Sequence, residues 1–175
     1  MSLGQHLVEL RKRLTRAGAA ILLAAVGGWF LVDIVWAELS RPVLEFAERA
    51  DREAAISYTT VTEAFDTRLL ITLTLGVVIA SPIWLYQLWA FIVPALHQRE
   101  KRYAIGFLGA AVPLFLAGCA TGWLILPNIV SLLTGFAPDD TTTLLTARVY
   151  LDFSLKLIIS IGIGSVLPVV LVMPL

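Results

Sequence analysis

Four long apolar stretches separated by polar ones organise this chain. A helix crosses a bilayer core with roughly 20 apolar residues at about 1.5 Å each, so the pattern predicts spans over about residues 15–36, 69–91, 103–126 and 151–175. Ahead of the first, Leu3, Leu7, Leu10 and Leu14 recur at helical spacing opposite Gln5, His6, Glu9, Lys12, Arg13 and Arg16. Residues 1–14 therefore read as an amphipathic helix leading into span one. Spans one and two are joined by a net-acidic loop in which Leu39, Val43, Phe46, Ala47 and Ala50 keep three- and four-residue spacing. A short amphipathic helix lying on the bundle is predicted there, with Pro42 in its first turn. A second, shorter loop over about residues 134–150 carries Asp139 and Asp140.

Breakers and small residues refine the spans. Ser81-Pro82 predicts a kink in span two, because proline removes an amide donor. Pro127-Asn128 is expected to bend or end span three, and Pro168 lies inside span four. Gly118 and Gly122 have the spacing that lets helix backbones approach closely, with intrachain packing favoured over an oligomer contact. Trp29 and Trp36 near the far end of span one, and Trp84, Tyr86 and Trp89 at the end of span two, suggest interfacial aromatic belts.

Composition supports the membrane reading. Apolar residues make up 58%, charged residues 15%, and mean hydropathy is +0.85. A soluble domain has about 45–50% and 25% of the first two. The expected fold class is an all-α polytopic helical membrane bundle of four transmembrane helices, forming one domain over residues 1–175. The first apolar run is too long for a signal-peptide core and has no small-residue cleavage site after it, so it is expected to be retained. Chain end Leu175 is apolar and lacks a polar flank, which suggests truncation after the fourth span.

The net charge of zero matters less than its placement. Arg11, Lys12, Arg13, Arg16, Arg99, Lys101 and Arg102 fall in two short stretches on one side of the predicted membrane. Both termini are expected in the cytoplasm and the two acidic loops outside. Catalytic signals are missing: there is one cysteine, Cys119, no four-ligand metal spacing, no nucleotide-binding glycine loop, and no nucleophile with a base. No enzyme activity, cofactor, metal or nucleic-acid partner is expected.

Glu9 and Glu100 are the only carboxylates on the predicted cytoplasmic face. Brought together, they would make an anionic spot suited to a guanidinium, since a carboxylate accepts two parallel hydrogen bonds. A plainer reading also stands: Glu9 and Arg13 form a surface i,i+4 pair worth about 0.3–0.5 kcal/mol, and the Arg99–Arg102 hinge is a positive-inside anchor.

His6-Leu7-Val8-Glu9-Leu10-Arg11-Lys12-Arg13-Leu14, Ser81-Pro82, Tyr86-Gln87-Leu88-Trp89-Ala90-Phe91, Pro94-Ala95-Leu96 and Glu100-Lys101-Arg102 together resemble TatC, the multispanning subunit of the twin-arginine protein translocase. The stretch Tyr58–Phe65, with Glu63, is similar to the family's loop before span two. The resemblance implies a six-span fold in the bacterial inner membrane, of which four spans are present. It implies binding of paired-arginine signal peptides of folded export substrates, driven onward by the proton gradient, with TatA and TatB as partners and self-association. Glu9 and Glu100 match the carboxylates that contact the arginines, and Arg11, Arg13, Phe91, Lys101 and Arg102 match the same cytoplasmic surface. Pro42, Glu63, Pro82, Pro94, Gly118, Gly122 and Pro168 are the structural or partner positions. Many members carry Glu or Gln where this chain has Val166, so the usual polar contact to TatA is in question, with Ser160 or Ser165 as weaker substitutes. The alternatives are a small-solute transporter or channel, for which the spans hold few buried ionisable groups, and a structural membrane subunit.

Overall fold

A computed structural model describes residues 3–49, 55–92, 100–136 and 144–172. Pro94 and Ala50 lie outside them, as do the side chains of Phe46, Ala47, Glu100, Lys101 and Arg102.

Span one is longer than the apolar run alone predicts. Helix α1 (Leu3–Gly28) passes through a 3-10 turn (Trp29–Leu31) into α2 (Val32–Arg49). The loop helix is therefore an extension of span one, and Pro42 lies inside it instead of in its first turn. Leu39 and Val43 of the predicted apolar stripe are fully buried. Their burial against the bundle holds the helix together across the donor that Pro42 lacks.

Helices α3 (Glu63–Ile79) and α4 (Ser81–Ile92) take the place of the kinked second span, bent by 62° at Ala80. Pro82 falls in the first turn of α4, where a proline lacks nothing the helix would use, so the chain breaks instead of kinking. The Trp84 indole donates to the Val77 carbonyl at 2.8 Å and its ring meets the Phe115 ring edge-on. Trp89 is buried and stacked on Phe107. Both rings thus pack inward, and of the three aromatics at the end of span two only Tyr86 is exposed.

Helix α5 (Glu100–Thr134) runs on through Pro113 and Pro127, so Pro127-Asn128 does not end it. The two missing backbone bonds are outweighed by the buried stripe Phe107, Ala111, Phe115, Cys119, Leu126 and Val130. Helix α6 (Ala147–Val172) lies along α5. A Cβ on Gly118 would stand 2.9 Å from the Gly162 Cα, and one on Gly122 2.9 Å from the Ile158 Cα, so backbone contact leaves no room for a side chain. Val166 is buried and Ser165 donates to the Ile161 carbonyl, while Ser160 is exposed.

Among the described residues two short strands interrupt the helical plan. β1 (Ala55–Ser57) and β2 (Leu144–Thr146) pair in parallel, Ile56 opposite Leu145, tying the two loops at the end of the bundle remote from Leu3. Among the described residues three stretches are long and apolar enough to cross a membrane: Leu7–Glu45, Ile105–Leu133 and Ala147–Val172. The bent pair Glu63–Ile79 and Ser81–Phe91 makes a fourth.

Candidate peptide-recognition site

At the amino-terminal end of the bundle α1 carries a charged cleft. Glu9 accepts from Arg13 Nη2 at 2.6 Å and from Nε at 3.1 Å, one helical turn along. Both side chains are less than one third exposed, 29% for Glu9 and 22% for Arg13, so the pair is better shielded than a typical surface pair. Arg13 fixes the orientation of the carboxylate through two donors on one oxygen. The cleft has a volume of 740 Å³, and its lining among the described residues includes Gln5, Glu9, Lys12, Arg13 and Arg16. Three cations against one carboxylate make the α1 wall net positive.

A second cavity, of 340 Å³, adjoins this one, and Arg13 lines both. Leu10, Leu14, Ala17 and Ile21 of α1 form one wall, Trp84, Gln87, Leu88 and Phe91 of α4 the other, with Val77 and Ile163 behind. The lining is apolar except for Arg13 and Gln87. The Gln87 carboxamide oxygen is buried and has no hydrogen-bond partner.

Glu9 and Arg13 thus line the cleft and Arg13 and Phe91 line the groove, while Arg11 is exposed on α1. Glu100 begins α5, but its side chain and those of Lys101 and Arg102 lie outside the described residues. Gln87 and Trp84 are contributors that sequence reasoning did not single out as site residues. A glutamine one turn before Phe91, within an apolar run, was the available signal.

The opposite end holds a clamp centred on Glu63. Its carboxylate accepts backbone N–H groups from Thr59 at 2.5 Å, Thr60 at 3.3 Å and Arg148 at 3.0 Å. These donors, Thr59 first and then Arg148, hold its pKa below the usual 4.5. The local part of this arrangement is a turn in which the Glu63 N–H also donates to the Thr60 carbonyl at 3.2 Å. Beside it Arg148 pairs with Asp66 at 2.9 Å. Arg68 pairs with Asp33 and sits over the Trp29 ring.

A family model described as Sec-independent protein translocase protein (TatC) matches residues 5–174. The chain belongs to the TatC family. It is 41% identical over 172 residues to a Sec-independent protein translocase protein TatC of Xylanimonas cellulosilytica, covering 98% of this chain and 62% of that protein. A TatC of Rothia mucilaginosa is 38% identical over 173 residues, covering 98% and 59%. The chain thus spans about three fifths of the length of these two relatives. A crystal structure of the twin-arginine translocase receptor TatC superposes with a TM-score of 0.82 at 33% identity, covering 96% of this chain and 73% of that one. The TatC family is one of membrane-embedded protein-translocase components and is not an enzyme family.

Proposed function

We propose that this TatC-family chain is the signal-peptide receptor core of a twin-arginine translocase. It binds paired-arginine signal peptides at its amino-terminal face, in the cytoplasm, for export of folded proteins driven by the proton gradient. It acts in a bacterial inner membrane with small TatA- and TatB-type partners and further copies of itself.

The observation that carries this reading is the shielded Glu9–Arg13 pair in a charged cleft, with Arg13 also lining an apolar groove that Phe91 lines. Glu9 is partly shielded and held by Arg13, so a guanidinium that reaches it gains a charge-assisted bond worth about 1.5–3 kcal/mol. The positive α1 wall alone disfavours two more cations, so Glu100 at the head of α5 is required as the second carboxylate. A transport path is poorly supported: Asp152 and Lys156 pair with each other on the outside of α6. The excess of Lys12, Arg13 and Arg16 over Glu9 favours a second reading, in which the cleft seats an anionic lipid headgroup.

The test is photocrosslinking from position 100, in membranes, to a labelled signal peptide bearing Arg-Arg or Lys-Lys. Crosslinking that requires both arginines and is lost in Glu9→Ala supports the receptor. Crosslinking indifferent to the arginine pair overturns it, and displacement of the peptide by anionic vesicles alone supports the lipid reading.

A further inference from the structure

The charged cleft leaves two cations unanswered. Its described wall is one face of α1, and of the three cations there Arg13 is held by Glu9. Lys12 and Arg16 are exposed, stand four residues apart on that face, and have no carboxylate partner among the described residues. Like charges at that spacing repel and weaken a helix, so an anion seated between them relieves a repulsion that the fold leaves in place.

The adjoining groove shows what the anion is attached to. Arg13 lines both cavities, so the two are continuous. The groove is apolar apart from Arg13 and Gln87, and Leu14, Leu88 and Ile163 in its walls are exposed. All three lie in helices that qualify as membrane spans, so the groove opens toward hydrocarbon. Its α1 wall runs from Leu10 to Ile21, about 16 Å of helix axis. One leaflet of hydrocarbon is about 15 Å deep. A phospholipid has the same order and reach, a phosphate at the interface and chains that run inward through one leaflet. A zwitterionic head group would bring an ammonium to the cations, whereas an anionic one brings only negative charge.

We infer that an anionic phospholipid of the leaflet at the amino-terminal end binds here, its phosphate between Lys12 and Arg16 and one acyl chain in the groove against Leu14, Leu88 and Ile163. The inference rests on the lipid reading of the cleft given above and extends it to a whole molecule with a seat for its chain. Lipid and peptide then draw on different groups, the phosphate on Lys12 and Arg16 and a guanidinium on Glu9. A bound phosphate also offsets the positive charge of the α1 wall, which by itself disfavours an arginine pair.

The test places the 175-residue chain in phosphatidylcholine nanodiscs with tracer phosphatidylglycerol that carries a diazirine on its head group or at mid-chain. Mid-chain phosphatidylcholine is the comparison, and labelled residues are mapped by mass spectrometry. Leu116 is the reference, since it is exposed on α5 and lies near the depth of Ile163, where Gly118 packs on Gly162. The head-group probe is expected to label Gln5 or Val8, and the mid-chain probe Leu14, Leu88 or Ile163 in excess of Leu116. The phosphatidylcholine tracer should show no such excess. Lys12→Gln combined with Arg16→Gln should lower the preference for phosphatidylglycerol about thirtyfold, with labelling of Leu116 unchanged because the variant remains inserted. Excess inorganic phosphate should not displace the tracer.

Selective labelling by the head-group probe alone overturns the chain seat and leaves the head-group reading standing. Equal labelling by both lipid classes, or an unchanged preference in the double variant, overturns the chain seat and the head-group reading together. Displacement by inorganic phosphate assigns the cations to a free anion and overturns the lipid. The receptor reading is decided separately, by the crosslink from position 100.

Discussion

The Glu63 carboxylate accepts the backbone N–H of Arg148 at 3.0 Å across 85 residues of sequence. With Thr59 and Thr60 on the same group, one side chain joins the head of α3, the loop before it and the head of α6. The parallel pairing of β1 with β2 lies in the same two loops. The buried carboxylate can stay ionised because three backbone N–H groups hydrogen-bond its charged form.

This clamp predicts an acid response. Glu63 has a folded pKa below 4.5, so its stabilisation is complete above the unfolded value and is lost as pH falls through the folded one. Detergent-solubilised protein and its Glu63→Gln variant should differ most in thermal midpoint near neutral pH. The difference should narrow below about pH 4.5. A constant difference down to strongly acid pH would count against the clamp.

Close packing of α5 on α6 predicts a contrast among glycines. Gly118→Ala and Gly122→Ala place a methyl against backbone at 2.9 Å and should each cost about 1–3 kcal/mol. Gly109 lies on the same helix with open space around it, and Gly109→Ala should be neutral or stabilising by about 0.5–1 kcal/mol. Denaturation in mixed micelles measures all three. Equal effects would mean that helix propensity, not packing, sets the response.

Tyr150 is buried at the start of α6, and its hydroxyl donates to the Leu39 carbonyl of α2 at 2.6 Å. Tyr150→Phe keeps the ring and removes that donor, so a loss of about 1 kcal/mol is expected. Amide hydrogen exchange should rise in α2, around Leu39 to Val43, and remain unchanged in α5.

Trp84 links α4 back to α3 through the Val77 carbonyl. Trp84→Phe should broaden the distribution of the 62° bend, read as the spin-label distance distribution between α3 and α4. The mean position should shift little, because Pro82 still prevents a continuous helix. A sharp distribution in the variant would show that the indole bond does not restrain the bend.

Much of the architecture was legible in the chain because bilayer crossing imposes a simple length and polarity requirement. Four apolar stretches, their polar connections and the Ser81-Pro82 break all follow from it. The pairing of Glu9 with Arg13 is similarly local, since residues four apart share a helix face. The errors arose where tertiary packing overrides a local signal. Pro127 carries a breaker's chemistry, yet α5 continues because Leu126 and Val130 are buried on either side of it. Trp84 and Trp89 have interfacial character, yet partners on α5 draw them inward.

By itself the sequence determined the spans, the charge asymmetry and the motifs that mark the family. Only the tertiary structure decided which face of each span points inward. In a soluble helix the polar face identifies the buried one, but in a membrane helix core and lipid are both apolar and the periodicity carries little information. The clamp at Glu63, the orphaned Gln87 acceptor and the shared lining at Arg13 depend on residues distant in sequence coming together. Each follows from how the helices pack.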